Sequence, residues 1–71
     1  MNEIYRVGTK LRNILSDEVC VVVVPDKPDE FERMAKVMRR GVGAVLIPVL
    51  YVDDEAATVH YEPQAKLELM K

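Results

Sequence analysis

The run Val19-Cys-Val-Val-Val-Val24 constrains this chain more than any other feature, together with a second apolar run from Ala44 to Val52 and the charged segment between them. Five β-branched residues in six favour strand over helix. Two runs that are apolar on both faces, joined by one helix, read as a β-α-β unit whose sheet is buried on both sides. Strands joined in this way are expected to be parallel, with a right-handed crossover. In 71 residues little remains to cover the second face. A chain of this size buries only roughly 60% of its unfolded surface. A single core at this length supplies about 3–5 kcal/mol unless something adds to it. The lone Cys20 cannot form an internal disulfide, and one His with one Cys is a poor ligand set for a metal. Oligomerisation is therefore the expected support, with a well-packed monomer as the alternative.

Charge narrows the partners. The net charge is −2 and the pI about 5.3, so attraction of the whole molecule to nucleic acid is not expected. Residues 1–16 carry charges throughout and match neither a signal peptide nor a membrane span. With no export signal and a single thiol on an apolar stretch, a cytoplasmic location and no membrane association are expected.

Along the chain, Ile4, Val7, Leu11, Ile14 and Leu15 have the spacing of one helix face. The spacing predicts a helix over 3–15, with Asn2 as N-cap, Glu3 at its positive end and Gly8 as its weak point. Ser16-Asp17-Glu18 reads as a turn. The first strand is Val19–Val24, ended by Pro25-Asp-Lys-Pro28. A second helix opens at Pro28 with Asp29 and Glu30 in its first turn. Its apolar stripe is Phe31, Met34, Ala35 and Met38, and it closes with Arg39, Arg40 and Gly41 as C′ residue.

The second strand, Ala44–Val52, contains Pro48, which suits an edge or a bulge. Asp53-Asp-Glu55 is a turn, and Ala57, Val59 and Tyr61 alternate with Thr58, His60 and Glu62 in a third strand. Two sheet orders are possible. Placing the third strand between the others leaves Pro48 at an edge. That gives an α+β fold: a helix, then a split β-α-β with a three-stranded mixed sheet of order 1-3-2, half of a ferredoxin-like fold. The expected layout is one small domain over 1–71: N-terminal helix and turn (1–18), β-α-β-β unit (19–63), and a short helix or tail (64–71). The N-terminal helix lies either beside the second helix or on the opposite sheet face.

Gly41-Val42 after the helix and Ala57-Thr-Val-His-Tyr-Glu-Pro63 in the closing hairpin carry a resemblance over residues 19–63. This segment resembles the heavy-metal-associated domain, the small ferredoxin-like copper-chaperone family. The resemblance implies the ferredoxin-like arrangement. It does not extend to the metal loop, where that family carries Met-x-Cys-x-x-Cys and this chain has Pro25-Asp-Lys-Pro-Asp-Glu30 with no sulfur ligand. Copper binding is thus not implied, and no cofactor is expected.

Other motifs read as structure before chemistry. Tyr51-Val-Asp-Asp54 looks like the Tyr-x-Asp-Asp turn of reverse transcriptases, which holds two metals. A chain this short has no polymerase core, and Asp-Asp is an ordinary hairpin turn. Cys20 reads as a small packed hydrophobe rather than a reactive thiol. His60 reads as a surface residue able to sense pH beside Thr58 and Glu62. The sequence leaves open whether Cys20 and His60 share a face. Gly41-Val-Gly43 follows a helix rather than preceding one, so it is a cap and not a phosphate loop. The loop Pro25–Pro28 precedes a helix N-terminus, but Asp26 and Asp29 oppose an anion there. Lys36, Arg39 and Arg40 can form a basic patch with Lys10 and Arg12 of the first helix, or a solvated face.

No nucleophile or acid–base constellation falls within one loop, so the expectation is a non-enzymatic interaction or regulatory module that associates with itself or another protein. The expected surface is drawn from Lys36, Arg39, Arg40, Pro48, Thr58, His60 and Glu62. A small-ligand sensor with its site at a dimer interface is the alternative, followed by nucleic-acid binding through helix Lys and Arg residues.

Overall fold

The computed structural model describes residues 5–70. The elements run β1 (Lys10–Asn13), β2 (Val19–Val22), α1 (Pro28–Val42), β3 (Leu46–Tyr51), β4 (Val59–Pro63) and β5 (Leu67–Leu69), with a 3-10 turn at Gln64–Lys66 leading into β5. The five strands form one sheet of order β4-β3-β2-β1-β5, and every neighbouring pair is antiparallel. A small α+β fold is present. The three-stranded mixed sheet of order 1-3-2, and with it the half ferredoxin-like arrangement, is not.

The first correction concerns the N-terminal helix. Asn2, Glu3 and Ile4 lie outside the described residues, and from Tyr5 onward the chain makes a turn and then β1. Gly8 has φ 95°, a left-handed conformation that ends any helix there. Gly8 N–H donates to the Val22 carbonyl at 2.8 Å, and Val22 N–H to that of Thr9 at 2.9 Å, so this segment is tied to β2. Leu11 fits a helical and an alternating pattern equally. The alternating one holds: Leu11 and Asn13 are buried, while Lys10 and Arg12 are not.

The second correction concerns the strand order. β2 and β3 are antiparallel neighbours, with Val22 opposite Val49, so α1 is an excursion that leaves and re-enters at the same end of the sheet. β3 is a central strand despite Pro48. The Val23 N–H donates to the Pro48 carbonyl at 3.0 Å, so the backbone of Pro48 faces the β2 side. β2 itself ends at Val22, one residue short of that point. The missing N–H of Pro48 therefore falls where the β2 ladder has stopped, and the β3–β4 register runs unbroken through Pro48 opposite Tyr61.

The sheet must curl. Laid flat, five strands separate their margins by about 19 Å. The four Cα steps from Pro63 in β4 to Leu67 in β5 reach at most about 14 Å. The margins are drawn together into a partly closed barrel. The Ile14 N–H to the Lys66 carbonyl (2.8 Å) and the Gln64 N–H to that of Val45 (2.7 Å) hold the junction. Directly opposed residues share a face, so register defines the interior: Leu11, Cys20, Val22, Ile47, Val49, Tyr51 and Leu67 form the buried core. The outer face carries Pro48, Leu50, Val59 and Tyr61.

α1 begins at Pro28 with Asp29 and Glu30 in its first turn and ends on Gly43, which has φ 69°; the Gly43 N–H donates to the Arg39 carbonyl (3.0 Å) and the Ala44 N–H to that of Met38 (3.2 Å). Gly41, expected as the C′ residue, lies inside the last turn. Phe31 meets Tyr61 edge-on with centroids 5.0 Å apart, fastening the helix N-terminal half to the outer face. The Tyr61 hydroxyl donates to Asp26 at 2.9 Å, which holds the loop before the helix. Among the described residues no side chain of α1 is buried.

Candidate functional site

β1, β3 and β4 each contribute one side chain to a hydrogen-bonded chain at one end of the barrel interior. Asn13 Nδ2 donates to the Tyr51 hydroxyl at 2.8 Å, and that hydroxyl donates to Glu62 Oε2 at 2.7 Å. Asn13 is only 7% exposed. Its Oδ1 accepts from the N–H groups of Leu15 (2.9 Å) and Ser16 (3.3 Å), so Asn13 also shapes the β1–β2 turn. That turn is completed by Asp17 at φ 63°, whose N–H reaches the Asn13 carbonyl.

Glu18, Asp53, Asp54, Thr58 and His60 join these three around an open pocket of about 600 Å³. His60 stands edge-on to Tyr51, with centroids 5.3 Å apart, and its Nε2 lies 3.7 Å from Asp54 Oδ2. Asp54 is committed to its own turn. Oδ1 accepts from Ala56 N–H at 3.0 Å and Oδ2 from Thr58 N–H at 3.2 Å, beside Ala57 at φ 52°. The Tyr-x-Asp-Asp motif is thus a self-capped hairpin turn. Among the described residues no three His, Cys, Asp or Glu side chains converge as ligands for a metal ion.

Electrostatics quiet the two groups with latent reactivity. Burial, then the Tyr51 hydrogen bond to Glu62, pushes the phenol up to about 12. Burial, then the carboxylates of Glu62 and Glu18, pushes the Cys20 thiol up as well. Register places Cys20 opposite Tyr51 and His60 opposite Val49, so both face the interior with β3 between them. A reactive thiolate requires the opposite shift.

A second concavity lies between α1 and the sheet. It is a groove of about 530 Å³ whose floor includes Val22, Ile47 and Pro48, with Phe31 and Ala35 as the helical wall and Lys36 and Arg39 beside them. The expected surface residues therefore divide. Lys36, Arg39 and Pro48 line the groove, Thr58, His60 and Glu62 line the polar pocket, and Arg40 stands exposed on α1. The joint basic patch is not formed. Lys10 and Arg12 lie on β1, and Arg12 pairs with Glu68 (Nε to Oε2, 2.7 Å) and Asp17, which raises its pKa further. Asn13 and Tyr51 were not expected at the site. The alternation in Lys10-Leu-Arg-Asn13 was the available signal for Asn13.

No protein-family model matches the chain, and neither the curated proteins nor the solved structures contain a significant match.

Proposed function

We propose that this chain is a non-enzymatic, cytoplasmic interaction module that associates with itself. One observation carries the reading. α1 spans fifteen residues with no buried side chain among those described, and leaves Met34 46%, Val37 67% and Val42 73% exposed. A helix stabilised in isolation would be marginal at this length. An amphipathic helix with only Phe31, Ala35 and Met38 of its apolar stripe partly covered has apolar surface to spare for a partner. The raised pKa directions of Tyr51 and Cys20 support a non-catalytic role, since general acid–base and nucleophilic groups need pKa values near the working pH. Among the described residues no helix is long and apolar enough to cross a membrane. Sedimentation equilibrium across the micromolar range tests the reading. A concentration-dependent shift from monomer to dimer is expected, and a monomer at every concentration up to several hundred micromolar would overturn it.

The groove supports a second reading, a small-ligand sensor. Its volume falls in the range of small-molecule sites, with an apolar floor and a charged edge of Lys36, Arg39 and Glu32 in which the cations outnumber the carboxylate. That chemistry suits an apolar acid. A thermal-shift panel of aliphatic and aromatic carboxylates is expected to raise the Tm, and a flat panel counts against it.

A further inference from the structure

We propose, resting on the self-association argued above, that the outward flank of α1 is the contact between copies. Two helices pack antiparallel about a twofold axis passing between Met34 and Val37. At about 100° per residue, Phe31, Ala35 and Met38 share the flank turned to the sheet. These three are the partly covered residues of the apolar stripe. Met34 and Val37 lie on the adjoining flank and are both exposed.

The occupant follows from charge. Residues 28–32 contain Asp29, Glu30 and Glu32 and no base, whereas residues 33–42 contain Arg33, Lys36, Arg39 and Arg40 and no acid. Asp29 and Glu32 stand four residues before Arg33 and Lys36, yet among the described residues none of the four bases is in an ion pair. The helix dipole accounts for acids in the first turn and bases in the last. It does not account for Met34 and Val37, two apolar side chains exposed at the middle of the helix alongside Arg33 and Lys36, with the acids N-terminal to them and Arg39 and Arg40 C-terminal. A second antiparallel copy matches both features: the acidic first turn meets the Arg39-Arg40 end of the other helix, and Met34 and Val37 at the middle meet each other. With the axis between Met34 and Val37, Met34 faces Val37 of the second copy and Glu30 lies beside its Arg40. A parallel pair would set like charge on like. The helix is about 22 Å long, so the contact is at the small end for a specific interface, and the dimer is micromolar and weakened by salt.

The experiment is sedimentation equilibrium of the full chain, of Glu30→Arg, of Arg40→Glu, and of the two variants mixed in equal amounts. Each substitution falls on the exposed helix surface and removes no core contact; Glu30→Arg also breaks the exposed Glu30–Lys27 ion pair (3.7 Å). Each variant alone is expected to dimerise about tenfold more weakly or worse, because like charges then meet twice across the axis. The mixture is expected to recover to within about threefold of the unaltered chain, because only the mixed dimer restores both opposite-charge pairs. If the unaltered chain dimerises and both variants dimerise as tightly, the contact lies elsewhere and self-association alone survives. Variants that weaken without recovery on mixing overturn the antiparallel arrangement. A chain that never dimerises overturns this proposal and the reading beneath it together.

Discussion

Tyr51 joins the interior of the barrel to its rim, because one hydroxyl serves Asn13 on β1 and Glu62 on β4. Replacing it with Phe keeps the ring packed and leaves both partners without that atom. Tyr51→Phe should cost about 1–3 kcal/mol, read by urea unfolding at neutral pH. The pH dependence has a definite sign. The Tyr51 phenol is pushed up to about 12 from its ordinary 10, so the fold favours the protonated form. Its contribution is complete below pH 10 and is lost as the pH rises through 12. That drop should amount to about 2–3 kcal/mol. The unaltered chain should therefore lose stability more steeply over this window than Tyr51→Phe does, and parallel pH profiles would refute the assignment. Cys20 follows the same logic. It is fully buried with its pKa raised by burial, so an aromatic disulfide reagent at pH 7 should label it only as fast as the protein opens.

At the scale of the element, two glycines of one helix end should respond oppositely. Gly43 adopts φ 69° with open space where a methyl group would stand, so Gly43→Ala costs only backbone strain, about 1 kcal/mol. Gly41 has helical backbone and equally open space, so Gly41→Ala should stabilise by about 0.5–1 kcal/mol. Thermal unfolding at submicromolar concentration, below the self-association proposed above, separates the two, and equal signs would contradict the cap. This pair also shows what the sequence made legible. Pro28, the first-turn acids and the Phe31-Met34-Ala35-Met38 stripe all point to one helix, while either glycine can end it. The runs around Val19–Val22, Leu46–Tyr51 and Val59–Pro63 were legible as strands from β-branching and alternation. Their pairing was not. Proline signals a missing donor, and only the register shows that Pro48 points its backbone past the end of β2. Likewise Leu11 serves a helical or an alternating pattern, and reading it as helical hid Asn13 from the candidate site. Thr58, His60 and Glu62 were legible as the polar side of a strand, but that this side turns inward toward Tyr51 depends on curvature, a property of the whole sheet.

That curvature is imposed by the short passage from one margin of the sheet to the other, so the stability of the molecule should hinge on its smallest strand. β5 is three residues long and, among the described residues, pairs only with β1. It supplies Leu67, 7% exposed, to the same core as Leu11, which is fully buried. In a chain of this size the net stability is a few kcal/mol, so no single buried aliphatic side chain is spare. Leu67→Ala should cost about 2–4 kcal/mol through lost burial and the cavity left behind, enough to bring the unfolding midpoint close to physiological temperature. Deleting residues 64–71 removes both the strand and the junction that holds the margins together, and that chain should lose its cooperative thermal transition by circular dichroism. The Arg12–Glu68 pair on the same two strands provides the contrast, because the side chains are 40% and 46% exposed and solvent screens them. Glu68→Gln should change stability by less than about 1 kcal/mol. If instead Glu68→Gln proves as damaging as Leu67→Ala, the closure is held by surface charge and not by the buried side chain of β5.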